Sequence, residues 1–377
     1  MKRKYELNLL ENIKKNQREV EYEGVKVLVK PIPEGGEPGD MDPRIYKSMK
    51  DMLMLMKFKP KKKKKPETAL EQILPLRKMF NGVKSIPIAD EGIETTHLTV
   101  ESTEGYQVPV RMYKRENAGE NLPIYVYYHG GGFFGGSPDV VEQMCKVVVQ
   151  NLDCVAFNID YRLCPENCYP EPFDDCFLAT KWIYDNAESF GGNKDRIAVS
   201  GDSAGGNLAA AITMKDKTEG YNMVKMQALI YPATNVSNKH TKYFKGADPS
   251  KYQCSKRHEK VFNESQAMMG SMLGADGDSG NFLNDVYLQG KEDPNNIYIS
   301  PVFGDLTKLP PTILIFGEHD FLVFDNFAYA QSLTEVNNKL KTVVYRGLGH
   351  GFADQIGVMP QAEDCMIEIA NYMKEVL

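Results

Sequence analysis

The stretch IAVS-GDSAGG-NLAAA at 197–211 constrains this chain more than any other part of it. An apolar run of strand character ends at Gly201-Asp202-Ser203-Ala204-Gly205-Gly206, and a small-residue run of helical character begins directly afterwards. A backbone that passes from strand to helix within so few residues must turn sharply, and the residue at the apex, Ser203, has to adopt a strained conformation. Gly201 and Gly205 then have to be glycine, because a Cβ two positions from the apex obstructs the turn. The helix that starts here aims its positive N-terminal end at the serine, which favours negative charge beside it. A G-x-S-x-G pattern by itself is common. The strand before it and the helix after it distinguish a nucleophile turn from a glycine-rich turn holding an incidental serine.

That turn needs a sheet, and the surrounding sequence supplies one. From residue 93 onward, short β-branched or aromatic runs alternate with helical patterns, the signature of strand-helix-strand units on a mostly parallel sheet. The segments THLTVES and VPVRMYK read as an antiparallel pair turning at Glu104 and Gly105. Further strands are expected at 124–130, 154–162, 196–203, 226–232, 311–320 and 341–347, with helices at about 140–151, 173–190, 204–215, 325–337 and 360–376. The rhythm is missing from 1–90 and from 236–297. An excursion of that length between two sheet elements is too long for an ordinary loop. The chain therefore divides into an N-terminal cap segment and linker (1–90), a first core part (91–235), a cap insertion (236–297) and a second core part (298–377), with the two irregular segments expected to pack together as a lid.

Serine is a poor nucleophile until a base takes its proton, and the base needs a third group to fix its tautomer. On sheets with such a turn the order along the chain is Ser, acid, His. Of the six histidines, His319 and His350 follow Ser203 at a strand end. His350, in LGHGF just past the strand at 341–347, is the expected base, since His319 directly precedes the best acid. That acid is Asp320, closing the strand at 311–320. Its rivals are Glu318 and Asp325, the latter expected in the first turn of the next helix. His129-Gly130-Gly131-Gly132 follows the strand at 124–130. Acyl transfer builds charge on a carbonyl oxygen, and only a loop without side chains brings N–H groups close to it. Gly131, Gly132 and Ala204 are the expected donors, with His129 steadying the loop by hydrogen bonding. A neutral His350 is required, so activity should fall in acid.

Composition sets the remaining bounds. The 377 residues carry a net charge of -6, which gives no electrostatic reason to expect a nucleic-acid partner. No apolar run approaches the roughly 20 residues of a membrane span, and the N-terminus MKRKYELNLLENIKK lacks the apolar core of a signal peptide. Seven cysteines, an odd number spread through a large chain, read as free thiols in a cytoplasmic protein, and Cys164, Cys168 and Cys176 lack the spacing of a metal site. Lys57, Lys59 and the run from Lys61 to Lys65, bounded by Pro60 and Pro66, read as a solvated linker, with a patch for an acidic partner as the alternative.

Taken together, HGGGF at 129–133, Asp160-Tyr161-Arg162-Leu163 with Pro165-Glu166, GDSAGG at 201–206, Glu318 to Leu322 with Asp325, and His350-Gly351-Phe352 resemble the hormone-sensitive-lipase-like family of α/β-hydrolases, the bacterial family IV carboxylesterases. The resemblance spans about residues 93–377. It implies an α/β-hydrolase fold, a mostly parallel central sheet flanked by helices, with a helical cap formed by the N-terminal segment and the insertion. It also implies a Ser203, Asp320, His350 triad, an oxyanion hole of Gly131, Gly132 and Ala204, and cofactor-free cleavage of short- to medium-chain acyl esters. Two positions depart from the pattern: Asp-Phe-Leu at 320–322 replaces the common Asp-Pro-Leu, and Cys164 stands where small residues are usual. The substrate is expected to be a small ester, and pairing into a homodimer is left open. A deacetylase or amidase acting on acetylated sugars or small amides is the nearest alternative, and a non-catalytic small-molecule binding module is a more distant one.

Overall fold

The structure is a computed structural model that describes residues 2–57, 68–82, 85–102, 104–237, 239, 254–272 and 284–377. The lysine-rich run beyond Lys57 and much of 236–297 lie outside the described residues. The strands are β1 (Arg18–Tyr22), β2 (Val25–Lys30), β3 (Ile93–Glu101), β4 (Gln107–Arg115), β5 (Leu122–Tyr128), β6 (Val155–Ile159), β7 (Gly192–Asp202), β8 (Val224–Ile230), β9 (Thr312–Gly317) and β10 (Leu340–Tyr345). The helices are α1 (Asn8–Asn16), α2 (Pro43–Lys57), α3 (Ala69–Phe80), α4 (Pro138–Asn151), α5 (Glu171–Asp185), α6 (Ala204–Thr218), α7 (Glu259–Met272), α8 (Val323–Glu335) and α9 (Pro360–Val376).

The ten strands found among the described residues join one sheet in the order β1-β2-β10-β9-β8-β7-β5-β6-β4-β3. The seven from β2 to β6 run parallel, and β1, β4 and β3 pair antiparallel at the two margins. Every residue of β5, β6 and β9 is buried. Helices on both faces cover these central strands, which is why they read as continuous apolar runs and not as alternating ones.

Strand order also fixes where a site can form. The chain leaves β5 for β6 on one side, then crosses to lay β7 against the other side of β5, with Tyr128 opposite Gly201. At such a reversal the loops leaving two adjacent parallel strands diverge and open a crevice beyond their carboxyl ends. Here those loops begin at His129 and at Ser203.

One expectation is corrected. Residues 1–90 lack a strand rhythm in the sequence, yet β1 and β2 extend the sheet, with Val27 to Lys30 paired in parallel with Thr342 to Tyr345 of β10. Strand β2, VKVLVK, interleaves lysine with valine, and β1, REVEY, is a largely exposed edge, so neither shows the apolar signature of a buried strand. Lys30 is 1% exposed and neutralised by Asp364 and Glu368 of α9. Beyond β2, the described part of the insertion meets the N-terminal segment. Asp40 accepts from Ser255 Oγ and is paired with Arg257, and the Met41 N–H donates to His258 Nδ1.

Candidate active site

Ser203 stands between β7 and α6 with φ 54° and ψ -116°, a backbone region that a side chain enters only under strain. The turn closes because its flanking glycines have no Cβ. At Gly201 a Cβ would lie 2.3 Å from the carbonyl carbon of Gly205, and at Gly205 it would lie 2.0 Å from the carbonyl oxygen of Tyr128. The steric demand read from the motif is therefore met by backbone on both sides.

His350 follows β10 in the loop 346–351. Its Nε2 lies 2.8 Å from Ser203 Oγ, and its Nδ1 lies 2.9 Å from each carboxylate oxygen of Asp320. A carboxylate only accepts, so the Nδ1 proton is donated to Asp320 and Nε2 is left as the acceptor for the serine hydroxyl. Asp320 is 2% exposed and also accepts from the Leu322 N–H at 2.8 Å. The rivals are engaged elsewhere. Glu318 accepts from the Gly347 N–H at 2.9 Å, His319 donates from Nε2 to the Asp40 carbonyl at 3.3 Å, and Asp325 sits in the first turn of α8.

The glycines after β5 make a tight turn. Gly131 has φ 118° and Gly132 φ 62°, and a Cβ on Gly131 would stand 2.3 Å from the Gly135 carbonyl carbon. Gly131, Gly132 and Ala204 line one cavity with Ser203, and among the described residues none of their N–H groups has a protein acceptor. His129 is buried, which depresses its pKa to about 4 and keeps it neutral. Its Nδ1 donates to the Gly130 carbonyl at 2.9 Å and its ring stacks on Tyr161 at 4.2 Å, contacts that steady the loop.

A model of the family described as alpha/beta hydrolase fold matches residues 125–354, from the middle of β5 to just past His350. The chain belongs to that family. Several of the proteins it resembles are esterases. The carboxylesterase NlhH of Mycobacterium tuberculosis is 29% identical over 272 residues, covering 70% of this chain and 78% of the relative. An arylesterase of Saccharolobus solfataricus is 28% identical over 309 residues, covering 81% and 91%. Among solved structures, the hyperthermophilic esterase of the archaeon Pyrobaculum calidifontis superposes with a TM-score of 0.67 at 28% identity, over 89% of this chain and 98% of that one.

In this α/β-hydrolase the cavity beside Ser203 measures about 360 Å³. Its walls are largely apolar. Ile45, Met49 and Met52 come from α2, Met79 and Phe80 from α3, and Phe133, Phe134 and Tyr231 from the core. Phe321, the departure noted at 320–322, packs its ring 4.4 Å from that of His350 and lines the same cavity. No Lys or Arg lines it among the described residues.

Sequence reasoning missed two supports of the site. Asp202, inside the motif but given no role, accepts from the Gly130 N–H at 2.8 Å and from Tyr127 Oη at 2.9 Å, tying the glycine turn to the nucleophile turn. Burial pushes its pKa up to about 6. A carboxylate at the buried end of a central strand was the available signal, since such a group needs partners. Tyr161 Oη donates to the His129 carbonyl at 2.7 Å, and only its place in the DYRL block pointed to it. No helix among the described residues is long and apolar enough to cross a membrane.

Proposed function

We propose that this α/β-hydrolase is a serine carboxylesterase that cleaves neutral short- to medium-chain acyl esters through an acyl-enzyme. Ser203 Oγ attacks the ester carbonyl while His350 Nε2 takes its proton. Asp320 holds the imidazole in the required tautomer and stabilises the imidazolium. The tetrahedral oxyanion is received by the N–H groups of Gly131, Gly132 and Ala204 beside the N-terminus of α6. His350 then protonates the departing alcohol, and water attacks the acyl-enzyme by the same steps in reverse order.

The observation that carries this reading is the unbroken row from Asp320 through His350 to Ser203, at 2.9 and 2.8 Å. Substrate size and charge follow from the cavity. A volume of about 360 Å³ lies at the small end of the roughly 300–1,000 Å³ typical of ligand pockets. Largely apolar walls, with no Lys or Arg among the described residues, favour uncharged acyl groups. Helices α2 and α3, together with the insertion that carries α7, form the cap in this reading. The protein is taken to act in a reducing cytoplasm, where its seven unpaired cysteines persist.

Hydrolysis of p-nitrophenyl esters from acetate to laurate tests the proposal, with turnover expected to peak at short to medium chains. Ser203→Ala should abolish it, and Asp320→Asn should lower kcat by on the order of 10⁴-fold. Wild-type turnover in Ser203→Ala would remove the nucleophile and the reading with it.

A further inference from the structure

The oxyanion turn is held from outside by a helix of the N-terminal segment. Arg77 of α3 donates from Nε to the Phe134 carbonyl at 2.6 Å and from Nη2 to the Cys164 carbonyl at 2.5 Å. Its two terminal nitrogens also grip the Glu166 carboxylate at 2.8 and 2.7 Å. One turn further on, Asn81 Oδ1 accepts from the Gly136 N–H at 2.8 Å. Between these anchors Phe80 stacks on Phe134 at 5.6 Å, and Gly135 lies so close to α3 that a Cβ there would be 3.4 Å from the Arg77 Cα.

Residues 134–136 are the outer limb of the turn whose inner limb is Gly131 and Gly132. The limbs are joined directly, since the N–H groups of Phe134 and Gly135 both donate to the Gly131 carbonyl, at 3.2 and 2.8 Å. The Cys164 N–H donates to the Phe133 carbonyl at 2.9 Å, so the Cys164-Pro165-Glu166 strip is part of the same assembly. Guanidinium suits this place because its rigid fork serves two carbonyls and a carboxylate at once, which an ammonium cannot do. The backbone carbonyl at Cys164, and not its thiol, is what the assembly uses.

We propose that Arg77 and Asn81 are positioning residues that hold the Gly131 and Gly132 amides in register with Ala204, so that the oxyanion hole is complete only while α3 is seated. The inference rests on the esterase reading above. It couples two jobs in one helix, because Met79 and Phe80, which line the cavity, lie between the two anchors. A substrate too bulky for the cavity displaces α3 and thereby the donors, so turnover suffers more than binding.

The test compares wild type, Arg77→Ala, Arg77→Lys and Asn81→Ala on p-nitrophenyl butyrate. It also measures inhibition by an alkyl trifluoromethyl ketone. In that adduct Ser203 Oγ bonds to the ketone carbon, the hydroxyl proton passes to His350, and the former carbonyl oxygen becomes an oxyanion in the hole. Arg77→Ala and Asn81→Ala are expected to lower kcat by roughly 10- to 100-fold, less than the roughly 10²- to 10³-fold of removing one oxyanion donor outright, with KM changed less than about threefold. Affinity for the ketone should fall in parallel, and Arg77→Lys should recover little of either. Variants with wild-type circular dichroism that keep kcat and ketone affinity within about threefold overturn the inference, as does a loss confined to KM. If Arg77→Ala does not fold, Asn81→Ala decides alone. A wild-type protein that neither turns over ester nor reacts with a fluorophosphonate removes the esterase reading itself, an outcome distinct from active wild type with indifferent variants.

Discussion

Gly205 meets Tyr128 backbone to backbone, leaving a would-be Cβ only 2.0 Å from the Tyr128 carbonyl oxygen. Real Cβ atoms do not approach so closely, and the obstacle is the C-terminal end of β5, which cannot step aside. Gly205→Ala must therefore push the start of α6 off the sheet, carrying the Ala204 N–H away from the incipient oxyanion. A displacement of about 1 Å at a reacting centre costs on the order of 10²-fold, so kcat/KM for p-nitrophenyl butyrate should fall at least that far. Gly119→Ala, where a Cβ would meet nothing within 4 Å, should leave kcat/KM within about twofold. Equal effects of the two substitutions would contradict the steric account.

The candidate site was legible where chemistry requires a particular residue at a particular turn. Ser203 and the glycines around it announce themselves because few other residues satisfy the turn, and His350 follows from chain order. Glu318 and Asp320 both follow β9, and the structure separates them by turning Glu318 to the Gly347 amide and Asp320 to His350 Nδ1. What escaped was held by backbone atoms. Arg77 grips the carbonyls of Phe134 and Cys164, and a carbonyl leaves no mark on sequence because every residue has one. Strand β2 escaped for a related reason. Its two lysines, Lys26 and Lys30, look solvated, and the acids of α9, more than 300 residues away, are what hold Lys30 buried.

That buried lysine gives a stability prediction. Lys30 Nζ lies 2.7 Å from Glu368 and 3.2 Å from Asp364, all three largely shielded from water. Removing one partner of a buried ion cluster strands the others, typically at about 3–5 kcal/mol. Glu368 keeps Lys341, and Asp364 still accepts from Tyr345 Oη, so Lys30→Met should fall near the lower end, about 3 kcal/mol in urea denaturation. Adding Asp364→Asn should recover part of the loss, because it removes a stranded charge. Lys30, Asp364 and Glu368 do not line the cavity beside Ser203, so kcat per folded molecule should stay within about twofold. A loss below about 1 kcal/mol would mean that water reaches the cluster.

His129 makes the stability of the fold depend on pH in a direction that can be worked out. Burial lowers its pKa from 6.5 to about 4, so the unfolded chain binds the proton more readily than the folded one. The contribution is present above 6.5 and is lost as pH falls toward 4. Asp202 acts oppositely. Burial raises it from 3.8 to about 6, so its contribution is present below 3.8 and is lost as pH rises through 6. The two offset each other across the same interval, and the wild-type profile alone would conceal both. The difference between wild type and His129→Asn isolates one of them. Asn can still donate to the Gly130 carbonyl but does not titrate, so the stability difference should shift against wild type by on the order of 3 kcal/mol between pH 7 and pH 4, at about 1.36 kcal/mol per pH unit. Urea denaturation at pH 7, 5.5 and 4 measures the change. A difference that stays constant would show that the imidazole takes up its proton within the fold, and the stacking on Tyr161 would then have to accommodate a charged ring.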